Sequence, residues 1–157
     1  MIFQNLHPLS RIWLYISKEK IDGITQNNIS SLFKDFHKDW KSHGQAVNGQ
    51  LKFIKENLLV VGADYISNGM CGRAVDAQVR FINKINEEFN LDLLNRTNIA
   101  FVKENSIVVY NYNSLDAVIK EGSVKKSTIY CNIFSTKNSD EIYLPFGDSP
   151  LATPFFS

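Results

Sequence analysis

The sequence of 157 residues has few of the parts on which catalytic and metal sites depend. Its three histidines stand at positions 7, 37 and 43, so no H-E-x-x-H or similar zinc signature can form. It contains no G-x-x-x-x-G-K-[ST] segment, no G-x-G-x-x-G after a strand and no G-x-S-x-G. We therefore expect no P-loop ATPase, no metal and no cofactor, and we favour a binding protein over an enzyme.

Long apolar runs, net charge and paired cysteines are also lacking. The longest aliphatic run, Leu58 to Val61, is too short to span a bilayer, and a net charge of +1 gives no general attraction for nucleic acids. Cys71 and Cys131 have neither metal-ligand nor redox-pair spacing. The start, MIFQNLHPLSR, has no basic segment leading into an apolar one, which predicts no signal peptide. We expect a cytoplasmic protein with reduced thiols and without membrane insertion.

Apolar periodicity predicts one strand and two long helices. Residues 11–17, RIWLYIS, are apolar on both faces, which is typical of a strand covered on both sides. A helix is predicted over 28–42, capped by Asn27 or Asn28 and ended by Gly44. A second helix is predicted over 73–89. Their apolar stripes are Ile29, Leu32, Phe33, Phe36 and Trp40 in the first, and Val75, Val79, Ile82, Ile85 and Phe89 in the second.

Nearly the same nine residues occur twice, FIKENLLVV at 53–61 and FVKENSIVV at 101–109. Lys-Glu-Asn between apolar runs predicts two hairpins, with strands at 51–55 and 58–65 and at 99–104 and 106–112. Asn suits the left-handed last position of a type I turn with a bulge. A duplication is the alternative, but a shift of 48 residues aligns Trp40 with Glu88 and Phe36 with Lys84, so buried positions meet exposed ones. We therefore favour two separate hairpins that use the same residues for the same kind of turn.

These elements predict an α+β protein with the order β(αββ)(αββ)αβ. A short helix opens at Ser114 and closes at Gly122, and residues 127–134 form a last strand. We expect a single domain over 1–144 with a largely antiparallel sheet and helices mainly on one face. Residues 145–157 hold all but one of the prolines and three phenylalanines, which predicts an extended tail on the chain's own sheet or on a partner. The tail or a second subunit would cover the other face of the sheet.

The stretch most suggestive of a site is DYISNGMCGRAVD, residues 64–76. It leaves a central strand and enters a helix through two glycines, which exposes backbone N–H groups to which a phosphate or carboxylate can bind. Arg73 adds positive charge. Cys71 lies at the same positive helix end, which lowers the pKa of a thiol and favours the thiolate. The candidate ligand-binding residues are His43, Asp64, Cys71, Gly72, Arg73 and Asp76. The alternative is a plain connection whose glycines satisfy turn geometry.

A nucleophilic role for Cys71 would need a base, and His43 is the candidate, oriented by Asp64 or Asp76. The alternative for His43 is a helix C-terminal residue that contacts the last carbonyls. For Arg80 and Arg96, beside apolar residues, we expect a carboxylate partner that holds elements together.

Several stretches resemble a family of small bacterial proteins of unknown function. They are SRIWLYIS, FKDFHKDWKSHG, VDAQVRFINKINEEFNLDLLNRTNIAF and the terminal PFFS. The positions shared with the family pattern are Trp40, His43, Gly44, Asp76, Arg80, Phe81 and Arg96. The family's G-C-S-I-D is replaced here by GRAVD, so that Arg73 stands where the family has Cys and Cys71 lies two residues earlier. Some members carry an automatic label as ABC transporter ATPases; without a Walker motif or signature loop, this chain would be an accessory protein of a transporter.

Two functions therefore remain. The first is a non-enzymatic cytoplasmic module that binds a small anion, a peptide or a partner protein, with a homodimer as one arrangement. The second is a small enzyme that uses His43 and acidic residues near the 64–76 loop, which requires His43, Asp64 and Asp76 to converge on one pocket.

Overall fold

The computed structural model describes residues 1–66 and 69–156, and all structural statements concern this part of the chain. Its helices are α1 (Gly23–Lys38), α2 (Gly72–Phe89) and α3 (Leu115–Lys120). Its strands are β1 (Ser10–Ile16), β2 (Lys41–Ser42), β3 (Gln45–Ala46), β4 (Gly49–Ile54), β5 (Leu58–Ile66), β6 (Asn98–Lys103), β7 (Ser106–Asn111), β8 (Ile129–Cys131) and β9 (Tyr143–Pro145). None of the helices is both long and apolar enough to cross a membrane.

The strands pair antiparallel in three groups. One sheet has the order β1-β5-β4, a second has the order β7-β6-β8-β9, and β2 and β3 form a small hairpin of their own. The predicted α+β class with antiparallel strands is confirmed. The two predicted Lys-Glu-Asn hairpins are β4–β5 and β6–β7, and each falls in a different sheet.

Both faces of the first sheet are buried, as the apolar pattern of β1 predicts. Trp13 and Tyr15 face α1 and α2, together with Leu59 and Val61 of β5. The opposite face was expected to meet the tail or a second subunit. It is covered instead by the N-terminal segment, through residues such as Phe3, and by the second sheet.

The Phe-rich tail packs against its own chain, on the outer face of the second sheet. Phe146 is fully buried and meets Phe101 edge-on, with ring centroids 5.2 Å apart. Phe155 and Phe156 contact Tyr112 and Phe146 respectively. The segment was expected to be extended, but it forms short 3₁₀ turns at Phe146–Asp148 and Pro150–Ala152.

Helix α1 begins and ends earlier than predicted. Its cap is Asp22, whose side chain accepts a hydrogen bond from the backbone N–H of Thr25 at 2.8 Å, and not Asn27 or Asn28. It ends at Lys38, so Trp40 lies just beyond the helix. Trp40 is nonetheless buried, because the β2–β3 hairpin turns back over α2.

Candidate functional site at the start of helix α2

The β2–β3 hairpin places His43 at its tip. Ser42 pairs with Gln45, and the two residues between them have left-handed backbones, with φ of 53° at His43 and 77° at Gly44. Two positive φ angles in a two-residue loop define a type I′ turn, whose twist matches that of its strands. The prediction that His43 ends a helix and that Gly44 stops it is therefore wrong.

Two hydrogen bonds join this hairpin to the start of α2. The indole N–H of Trp40 donates to the carbonyl of Ala74 at 2.9 Å. The backbone N–H of Cys71 donates to Oγ of Ser42, also at 2.9 Å, and Ser42 is buried. The hairpin tip is thereby fixed against the first turn of α2, in which Cys71 occupies the cap position.

The surroundings of Cys71 favour the thiolate form of its side chain. The Ser42 hydroxyl, the backbone N–H of His43 and the backbone N–H of Ala74 lower the pKa of the Cys71 thiol to about 7, and the charge of His43 acts in the same direction. Each favours the thiolate, since a hydrogen bond to the charged form stabilises that form. Burial, in contrast, raises the pKa of the Cys131 thiol to about 12. Cys71 is partly exposed and Cys131 is buried, so only Cys71 combines access with thiolate character at neutral pH.

The structure brings together some of the predicted site residues and separates others. His43 and Cys71 meet, and Gly72 follows as the first residue of α2. Asp64 is exposed on β5, where it accepts a hydrogen bond from the hydroxyl of Ser10 at 3.0 Å. Arg73 and Asp76 are also exposed, on the first turns of α2.

The contacts of His43 do not form a catalytic triad. Among residues 1–66 and 69–156, no hydrogen bond joins the imidazole of His43 to Asp64 or Asp76. The predicted loop also includes Ser67 and Asn68, which lie outside the described residues. A geometry in which an acid orients His43 as a base toward Cys71 is therefore absent from the described part.

Ser42 is the member of this site that sequence reasoning missed. It stands 29 residues before its partner Cys71, and only the packing of the hairpin on α2 brings the two together. The sequence did contain a signal: His and Gly both tolerate the positive φ angles that a type I′ turn requires, and His43-Gly44 stands between short polar segments. Such a turn would have directed Ser42 and Gln45 back along a hairpin.

A free anion would find the helix start already occupied. The N–H of Cys71 donates to Oγ of Ser42 at 2.9 Å, and the N–H of Ala74 donates to the carbonyl of Cys71 at 3.1 Å, so neither group is free to hold a phosphate or carboxylate. The described residues also contain no cluster of three His, Cys, Asp or Glu side chains that could hold a metal ion. The arrangement is that of a stabilised thiolate with access to solvent.

Arg80 and Arg96 differ from expectation. Neither has a carboxylate within 4.0 Å in the described part of the chain, where the ion pairs are Asp35 with Lys38 and Asp116 with Lys120. Both arginines are exposed, so their charge needs no carboxylate partner to offset burial.

Comparison of the chain with protein-family models, with curated proteins and with solved structures gave no match. The family resemblance of the sequence therefore stays a prediction. Any functional conclusion has to come from the geometry around Cys71.

Proposed function

We propose that the chain is a non-catalytic binding module of the cytoplasm, and that its reactive group is the thiolate of Cys71, which binds a disulfide-bearing ligand covalently and reversibly. The observation that supports this most is the place of Cys71, which is partly exposed at the start of α2 and held beside Ser42 by a 2.9 Å hydrogen bond from its backbone N–H to Oγ, with its thiol pKa lowered to about 7. A thiolate is the nucleophilic form of cysteine, and a thiol with a pKa near the ambient pH is close to the optimum for attack on a disulfide.

The proposed step is thiol–disulfide exchange. The Cys71 thiolate attacks one sulfur of a disulfide R–S–S–R, the S–S bond breaks, and a mixed disulfide forms at Cys71. The other half leaves as a thiolate and takes a proton from water. The Cys71 sulfur is oxidised from the thiolate to the disulfide level while the departing sulfur is reduced from the disulfide to the thiolate level, so no further oxidant is needed.

Binding is favoured over catalysis because a second cysteine is not at hand. Cys131 is buried between the two sheets, in the cluster that contains Leu58 and Ile107. It cannot resolve a mixed disulfide at Cys71 without unfolding of that core. The adduct would last until an external thiol reduced it, which is the behaviour of a stoichiometric binder. Two free thiols also fit a reducing compartment such as the cytoplasm.

The other functional predictions have less support. An enzyme built on His43 with Asp64 or Asp76 needs contacts that are absent from the described residues, and a small anion would have to displace Oγ of Ser42 from the N–H of Cys71. An accessory role beside a transporter stays a prediction from the resemblance alone.

The test is the pH dependence of the reaction with an aromatic disulfide reagent, followed by the absorbance of the released thiolate. Because hydrogen bonds lower the Cys71 pKa to about 7, we expect one thiol per native chain to react, with a rate that rises through a midpoint near pH 7. Ser42→Ala removes the strongest of these contacts and should move the midpoint toward the ordinary value of about 8.5.

Cys131→Ser is the matched control and should leave the rate and the midpoint unchanged, whereas Cys71→Ser should abolish the fast reaction. A wild-type midpoint near the ordinary thiol value, or equal reaction of both cysteines in the native chain, would refute the proposal. Mass spectrometry of the product would show whether the adduct is stoichiometric or turned over.

A further inference from the structure

An apolar groove runs between α1 and α2 on the side of the helices that faces away from the first sheet. Its volume is about 450 Å³, and Leu32, Phe36, Ala77 and Phe81 form its floor. The rings of Phe36 and Phe81 stack with centroids 5.0 Å apart. Leu32, Phe36 and Ala77 are only half-buried, so the groove leaves part of the aromatic core of the helical layer open to water.

The two walls of the groove carry opposite charge. The α1 wall bears Asp35, and the α2 wall bears Arg80 and Lys84 one turn apart. All three are exposed, and in the described residues neither Arg80 nor Lys84 has a carboxylate partner. Asp35 contacts Lys38 at 3.5 Å, but both side chains are more than two-thirds exposed, and such a pair contributes little.

We propose that a second copy of this chain docks on the α1–α2 groove, to give a two-fold symmetric dimer. In such a contact the same patch meets itself, and when the two-fold axis runs along the groove a residue of one wall faces the other wall of the partner. Rotation by 180° about an axis along the groove places Asp35 of each copy opposite Arg80 and Lys84 of the other. The apolar floors meet in the centre, which reproduces the usual anatomy of an aromatic core within a charged rim.

Charge complementarity selects this occupant over a generic acidic or basic helix. An acidic helix would be attracted by Arg80 and Lys84 but repelled by Asp35, and a basic helix would meet the reverse. A second copy of the same face brings an acidic residue to the basic wall and basic residues to the acidic wall. The dimer is independent of Cys71, which caps α2 nine residues before Arg80.

The experiment is sedimentation velocity of the full chain across a dilution series, with reducing agent present so that no disulfide can form. We expect the wild type to dimerise at micromolar to high-micromolar concentration. Asp35→Arg and Arg80→Asp each place like charges across the interface and should weaken association by about tenfold or more. The double variant Asp35→Arg/Arg80→Asp exchanges the walls and should restore the dimer.

Asp116→Arg is the matched control, because Asp116 is an equally exposed carboxylate on α3, outside the groove. It should leave association unchanged. Circular dichroism of every variant checks the fold, and the double variant tests the pairing itself, since a folding defect would not be repaired by a second charge change. A wild type that stays monomeric at about 1 mM, a double variant no better than its parents, or equal weakening by Asp116→Arg would overturn the proposal.

Discussion

The segments 53–61 and 101–109 differ at three of nine positions, yet their chains turn in different ways. In β4–β5 the last pair is Ile54 with Leu58, which leaves a three-residue loop. In β6–β7 the last pair is Lys103 with Ser106, which leaves two residues, Glu104 and Asn105. Identical Lys-Glu-Asn sequences thus form loops that differ in length by one residue.

The two asparagines show where the difference arises. Asn57 is buried, and its side-chain amide donates to the carbonyls of Ser17 and Lys18 at 2.9 and 3.4 Å. It ties the hairpin to the end of β1. Asn105 is exposed and takes a left-handed conformation with φ of 65°. The expected turn, with Asn at the left-handed last position, is wrong for Asn57, whose contacts with β1 hold it elsewhere.

The change of one residue in the loop also changes which face each side chain meets. Phe53 and Leu59 pair directly and both pack toward the helices. Their counterparts Phe101 and Ile107 lie in different clusters on opposite faces of the second sheet. Since side chains alternate with a period of two, a one-residue slip is sufficient for this exchange. The residue after the turn differs accordingly: Leu58 is buried in the first hairpin and Ser106 is exposed in the second.

The largest expected effect comes from exchanging those two residues. Leu58 is fully buried, so Leu58→Ser should lower the free energy of unfolding by about 3–5 kcal/mol, through the cavity and the buried hydroxyl. Ser106→Leu, at an exposed site, should cost less than about 1 kcal/mol. Urea titration of both variants measures the difference. Equal losses would mean that the burial of the residue after the turn does not distinguish the two hairpins.

A smaller difference is expected between the two asparagines. Asn57→Ala leaves the buried carbonyl of Ser17 without its donor and should cost about 2 kcal/mol. Asn105→Ala loses only the tolerance of Asn for a left-handed backbone, which amounts to about 1 kcal/mol. Thermal unfolding followed by circular dichroism can rank the two. If Asn105→Ala were the more damaging change, the contact between Asn57 and β1 would not be what distinguishes the hairpins.

The elements that sequence predicted well are those with a local signal. Helix α2 and the strands of both hairpins follow their apolar patterns to within about two residues. The start of α1 was missed because its first turn, from Gly23, has no buried residue, and the stripe becomes visible only at Ile29. Trp40 continues the apolar spacing of that stripe although the helix ends at Lys38. The burial of a residue alone does not reveal whether it belongs to the helix or to the segment that follows.

The site was only partly predictable for a similar reason. The lowered pKa of Cys71 at a helix start follows from the sequence, because the glycines and the apolar stripe locate that start. The part of this pKa shift that comes from Ser42 and the backbone of His43 does not follow from the sequence. It requires a two-residue turn and the docking of that turn on α2. Contacts between elements distant in the chain depend on how the elements pack.

The smallest effect should be common to both hairpins. Lys55 and Glu104 each have a left-handed backbone, with φ of 55° and 49°, at exposed positions where neither residue type is favoured. Asn tolerates this region better, so Lys55→Asn and Glu104→Asn should each raise the free energy of unfolding by about 0.5 kcal/mol. The carbonyl of Lys55, which accepts from Gln26 at 3.0 Å, is retained in the variant. Paired urea titrations would detect this. If Lys55→Asn destabilised while Glu104→Asn stabilised, the Lys55 side chain would hold the longer loop, and the two turns would differ in their contacts as well as in register.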